Sequence, residues 1–283
     1  MDVRGFLNAI SAPKEAPGDY FDAEGFLCCG KCRTRKQADI PCSRAIRESG
    51  VWRVPVPCRC EEAAQLGRAQ REREQAAARL QKRLFLKSGL DAAAVFSNDD
   101  AAKSPASVIS RKYCQKLDEA AASGLGVLFY GGVGTGKSFF AQCIGNAAIS
   151  AGKSVFFVNV SALLLADADA RQDALRRAEK DDFLILDDVG AQRRTSFGDE
   201  VLYHIVNTRC RTSKPLIATT NLSLTQMKEE QELAACRVFD RLLEMCPVRV
   251  KMDGESRRRT AALQKKGGGQ APDFRRNRLS PAD

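Results

Sequence analysis

Residues 130–138 read Tyr-Gly-Gly-Val-Gly-Thr-Gly-Lys-Ser, "YGGVGTGKS". Gly131, Gly132, Val133, Gly134, Thr135, Gly136, Lys137 and Ser138 satisfy the spacing G-x-x-x-x-G-K-[ST] at every position. The chemistry needs those residue types. Glycines let successive backbone N–H groups turn inward around a phosphate, and the following helix adds the positive end of its dipole. A lysine then reaches the outer phosphate oxygens, and a hydroxyl ligates magnesium. The preceding "GVLFY" (126–130) is a buried strand and Lys137–Ser150 a helix, the context the loop requires.

Alternation continues on both sides of the loop. "SVFFVNV" (154–160), "FLILDD" (183–188) and "PLIATTN" (215–221) read as further strands. "SALLLADADARQDALRRAEK" (161–180) and "DEVLYHIVNTRCRT" (199–212) read as single helices between them. Continuous apolar strands joined by helices predict an α/β fold with a parallel sheet covered on both faces. "FLILDD" ends in two acids: Asp187 is placed to hold magnesium beside the phosphates, and Asp188 to orient or deprotonate an attacking water. Asn221, at the end of "ATTN", can reach the terminal phosphate or that water. Arg237 and Arg241 in "RVFDR" lie one helical turn apart, and "GESRRR" offers Arg258.

Composition bounds the rest. The chain has 283 residues, 44% hydrophobic and 28% charged, with a net charge of +10. No run approaches about 18 uninterrupted apolar residues, so no membrane partner and a cytoplasmic location are expected. Residues 249–283 carry ten Lys/Arg against four Asp/Glu, which favours a polyanionic partner. Six of the eleven cysteines, Cys28, Cys29, Cys32, Cys42, Cys58 and Cys60, fall between residues 28 and 60. Cys29-x-x-Cys32 and Cys58-x-Cys60 make two close pairs of soft ligands suited to a structural Zn2+. Cys28 can replace Cys29, and Cys42 is a spare. Residues 61–87, rich in Ala, Gln, Glu and Arg, predict a helix with only a thin apolar stripe.

Glycine-rich loop, double acid, Asn at a strand end, arginine pair and G-x-S-x-R, in that order, resemble the AAA+ P-loop ATPases. Within them "FLILDDVGAQRRT", "YHIVNTRCRTSKPLIATTNLS", "RVFDRL" and "GESRRR" resemble the DnaC/IstB group. "CGKCRTRKQ" and "VPCRCEE" sharpen this to helicase loaders of the DnaI/DnaC type. The resemblance implies ATP and Mg2+ as cofactors, with Arg237 as a finger reaching a neighbouring subunit and Arg258 contacting its own nucleotide. Arg241 is the alternative finger. It also implies a homo-oligomeric ring or helical assembly, a replicative DNA helicase as partner, and single-stranded DNA as the polyanion, with Arg193 and Arg194 as candidates to line it. The expected organisation is an arm (1–25), a zinc-binding helicase-interaction module (26–62), a helical linker (63–90), an AAA+ ATPase domain (91–259) and a basic disordered tail (260–283). A transposition helper ATPase acting on double-stranded DNA with a transposase is the alternative.

Overall fold

A computed structural model describes residues 14–43, 51–190 and 196–254. Arg193, Arg194, Ser256, Arg258 and the basic tail lie outside the described residues. The chain divides into two compact units, 1–78 and 79–283.

Among its described residues the first unit buries few apolar side chains. Strands β1 (Tyr20–Phe21) and β2 (Leu27–Cys28) pair antiparallel, as do β3 (Gln37–Pro41) and β4 (Val51–Pro55). Polar contacts substitute for a core. The Phe26 ring lies between the guanidinium groups of Arg35 and Arg53, 4.1 and 3.6 Å from its centroid. Asp22 and Glu24 pair with Arg35, and Asp39 with Arg53. Lys36 Nζ donates to Asp19 Oδ2 at 2.8 Å, with both side chains buried. That ammonium holds the Asp19 carboxyl down at about 2. Helix α1 (Arg59–Ser88) follows, two residues earlier than the composition suggests, and its residues are exposed along most of its length.

The second unit is the parallel α/β fold. Helix α2 (Pro105–Cys114) is capped by Ser104, and α3 (Leu117–Ser123) ends at Gly124. Next come β5 (Val127–Gly131), α4 (Lys137–Ser150), β6 (Val155–Asn159), α5 (Val160–Leu165), α6 (Ala168–Lys180) and β7 (Phe183–Val189). Helix α7 (Ser196–Arg211), β8 (Leu216–Thr220), α8 (Leu224–Lys228), α9 (Leu233–Met245) and β9 (Val248–Met252) complete it. The sheet order is β6-β7-β8-β5-β9, and every pairing is parallel. Alternate residues feed two cores. Leu128, Leu184, Leu186, Leu216 and Ala218 enter one, while Val127, Phe129, Phe183, Ile185 and Ile217 enter the other. Burial on both faces explains why these strands are apolar throughout.

Two elements differ from the sequence reading. The stretch 161–180 is two helices, because Asn159 caps α5 through the Ala162 N–H and Asp167 caps α6 through the Ala170 N–H. Strand β9, short and half polar, is an edge strand beside β5.

Arg209 is fully buried and makes no ion pair among the described residues. It donates instead to the carbonyls of Ala178, Asp181, Asp182 and Pro215 at 2.6–3.1 Å. It thereby satisfies the C-terminal end of α6 and ties it to the chain entering β7 and β8. Burial lowers its pKa to about 10, so it stays charged at neutral pH. Arg209→Met should remove every one of these donors and destabilise the fold by roughly 3 kcal/mol, a fall in Tm of about 10 °C. A thermal melt of the variant checks this, and a shift under about 2 °C would contradict it.

Candidate functional site

Parallel pairing puts the carboxyl ends of β5, β7 and β8 on one edge of the sheet. Because β8 lies between β5 and β7, the residue after it, Asn221, emerges between the glycine-rich loop and the acids. A cleft of about 430 Å³ opens there, lined by Gly134, Gly136, Lys137, Ser138, Asp187, Asp188 and Asn221 from the expected set. Val133 of that set lines it too, as do Phe139, Asn98, Asp100 and Asn159, which the sequence reading did not single out.

The loop depends on two glycines in particular. Gly131 has φ +125°, and a Cβ there would stand 2.5 Å from the Met252 carbonyl oxygen of β9. Gly136, at φ +100°, turns the chain into α4. Both conformations favour glycine. Thr135 Oγ1 donates to the Gly132 carbonyl at 2.9 Å, closing the loop on itself. Lys137, buried, turns its ammonium onto the carbonyls of Gly131 and Gly132 at 3.1 and 2.6 Å. A phosphate entering the loop would offer that ammonium a charged acceptor in place of neutral ones.

Across the cleft, β7 and β8 fall out of step. Leu186 pairs with Ala218 but Val189 with Thr220, so Asp187 and Asp188 together oppose Thr219. Asp188 takes φ +64°. Thr219 Oγ1 donates to Asp187 Oδ1 and accepts from the Asp188 N–H, both at 2.8 Å. Asn221 Nδ2 donates to Asp188 Oδ1 at 2.7 Å. The end of β6 stands alongside, Asn159 in register with Asp187. The arrangement offers a cationic and amide-rich loop for phosphate oxygens, a hydroxyl and a carboxylate for a divalent cation, and a second carboxylate for a water.

Neither arginine of the pair lies in this cleft. Arg237 and Arg241, on α9, line a separate hollow with Tyr203, Asp240 and Glu244. Arg241 pairs locally with Glu244 at 2.7 Å, whereas Arg237 is exposed and makes no ion pair among the described residues.

In the first unit the sulfur atoms of Cys29, Cys32, Cys58 and Cys60 all lie within 4.8 Å of one another. A tetrahedral zinc with Zn–S near 2.3 Å asks for sulfurs about 3.8 Å apart, so the donor set fits that ion. Cys28 points elsewhere, its sulfur 3.9 Å from Asp22 Oδ2, and neither it nor Cys42 belongs to the group. Arg33, at φ +58°, returns its N–H to the Cys29 carbonyl and bends the Cys29–Cys32 turn. The Thr34 hydroxyl lowers the Cys32 thiol to about 5, and the neighbouring Cys58 and other sulfurs push Cys60 up to about 12. Crowded thiols resist ionising together without a cation among them.

A double acid facing a glycine-rich loop, with an Asn-ended strand between them, is suited to a nucleoside triphosphate and its magnesium. Residues 70–265 match the family described as IstB-like ATP binding protein. The chain belongs to that family. Membership implies ATP binding. The replicative helicase loader DnaC of Escherichia coli is 29% identical over 140 residues, 47% of this chain and 55% of its own length. The replicative helicase loader DnaI of Bacillus subtilis is 29% identical over 150 residues, 48% of each chain. An ATP-binding protein in an insertion sequence of Mycobacterium tuberculosis is 34% identical over 104 residues, 35% of this chain and 41% of its own. The chain thus spans about half the length of the curated relatives it matches. Among solved structures, DnaI aligns with a TM-score of 0.48 at 20% identity, covering 59% of this chain and 96% of that one. A primosome component from Streptococcus pyogenes aligns at 0.49 and 20%, covering 60% and 93%. Among the described residues no helix is long and apolar enough to cross a membrane.

Proposed function

We propose that this chain is an ATP-dependent loader that binds a hexameric replicative DNA helicase and delivers it onto single-stranded DNA in the cytoplasm. The ATPase core does not separate this from transposition, since relatives named for both helicase loading and an insertion sequence match it. The observation that carries the reading is the convergence of four cysteine sulfurs ahead of that core. A cysteine module in this position is the loader-type feature, and it supplies the surface for the helicase.

In this reading the loop from Gly131 to Ser138 wraps the phosphates and Lys137 reaches the outer oxygens. Ser138 and Asp187 hold Mg2+, which neutralises phosphate charge when bound. Asn221 positions the attacking water and Asp188 accepts its proton as the bond to the leaving phosphate breaks. Arg237 enters the site of the next subunit and stabilises charge on the transferring group, with Arg258 contacting the nucleotide of its own chain. Hydrolysis therefore requires a homo-oligomer, a ring or helical assembly. ATP favours assembly on DNA and its hydrolysis releases the helicase. Single-stranded DNA is held through its phosphates, so binding weakens with salt. Zn2+ on Cys29, Cys32, Cys58 and Cys60 supplies folding energy that the small first unit cannot draw from an apolar core. The second reading, a transposition helper on double-stranded DNA, draws its support from the insertion-sequence relative.

Affinity capture with the tagged full chain and ATP should retain a hexameric helicase. Retention of a transposase with no helicase would favour the second reading. Elemental analysis should find about one zinc per chain, and Cys60→Ser should lose it while keeping ATP binding. A wild-type chain purified without zinc or another thiophilic metal would contradict the metal assignment.

A further inference from the structure

Neighbouring residues of a regular strand face opposite sides of the sheet. A strand carrying Asp187-Asp188 should therefore show only one carboxylate to the cleft, yet both line it. The cause is a β-bulge, two residues of β7 set against Thr219 alone. Bulges re-aim side chains at the cost of a ladder rung. Here Asp188 sits at φ +64°, in the left-handed region that residues with a Cβ seldom take. Something must hold it there and satisfy its N–H.

We infer that Thr219 is a positioning residue whose side-chain hydroxyl replaces the missing rung and keeps both acids on the cleft side. This rests on the proposed roles of Asp187 and Asp188. The hydroxyl has one proton, and its direction is fixed. The Asp188 backbone N–H can only donate, so Thr219 Oγ1 accepts from it at 2.8 Å. Its own hydrogen goes to Asp187 Oδ1 at 2.8 Å. One buried oxygen thus sets the backbone of one acid and the carboxylate orientation of the other, and Asn221 Nδ2 fixes the remaining end at Asp188 Oδ1. Thr219 does not line the cleft, so it acts through the acids rather than on the nucleotide.

Valine has the same shape and no hydroxyl. It leaves the Asp188 N–H and Asp187 Oδ1 without this partner, which favours regular pairing and turns one acid away. Serine keeps the oxygen. Thr220 provides a control on the same strand: it is equally buried, and its hydroxyl donates to the Val189 carbonyl at 2.7 Å without touching either acid.

The test measures ATP turnover, fluorescent-nucleotide affinity and backbone amide exchange across 183–190 in the full chain. Thr219→Val should lower kcat roughly 30-fold while nucleotide Kd stays within about 3-fold, with faster exchange at the Asp188 amide. Thr219→Ser should recover kcat to within about 3-fold of wild type, and Thr220→Val should lower Tm while leaving kcat within the same margin. Wild-type turnover by Thr219→Val would overturn the inference, as would an equal loss in Thr220→Val. Asp188→Asn separates the two levels. Were it inactive while Thr219→Val is normal, only the positioning role would fall; were it fully active, the role of Asp188 would fall and this inference with it.

Discussion

Parallel pairing of β5, β8 and β7, in that order, is the constraint on which the site depends. It sends the glycine-rich loop, Asn221 and the two acids out of one edge of the sheet, with the amide between the phosphate loop and the carboxylates. The two edges of the sheet do different work. At the amino end Arg209 and Lys214 satisfy the carbonyls that close α6. The middle is sealed by side chains alternating into two cores. At the carboxyl end Gly131, Gly136 and Asp188 all have positive φ and shape the cleft.

The two units solve the problem of holding a fold together in different ways. Residues 79–283 bury enough apolar surface to stand on packing. The first unit relies on a buried Lys36–Asp19 pair, an arginine sandwich around Phe26 and four converging sulfurs. In the proposed reading such a unit gains order from a metal rather than from size. In the proposed loader role, a metal-dependent recognition unit coupled to a nucleotide-dependent one would let partner choice and ATP state vary separately.

Much of this was legible in the residues because the apolar runs of β5, β7 and β8 are uninterrupted and the phosphate loop is complete. What was not legible depends on contacts across strands or on competing local signals. The bulge is invisible in "FLILDD", since the register against "LIATT" decides it. The break between α5 and α6 is masked by good helix formers around Asp167, whose cap only shows once its carboxylate meets the Ala170 N–H. Strand β9 is too short and polar to stand out from "VRVKM". Cys28 and Cys29 are adjacent thiols with equal claim by spacing; in the fold one sulfur lies by Asp22 and the other by Cys60. Arg237 and Arg241 lie one turn apart on their helix, and the structure pairs Arg241 with Glu244 while Arg237 is exposed.

The central claim is that one chain supplies the cleft and its neighbour supplies the arginine. ATP turnover by an equimolar mixture of Lys137→Ala and Arg237→Ala chains tests it most directly, because each variant lacks what the other retains. The account predicts near-silence from either alone and recovery of about a quarter of the wild-type rate on mixing, the share of contacts that pair an intact cleft with an intact arginine. A mixture no more active than its components, with assembly intact, would contradict it.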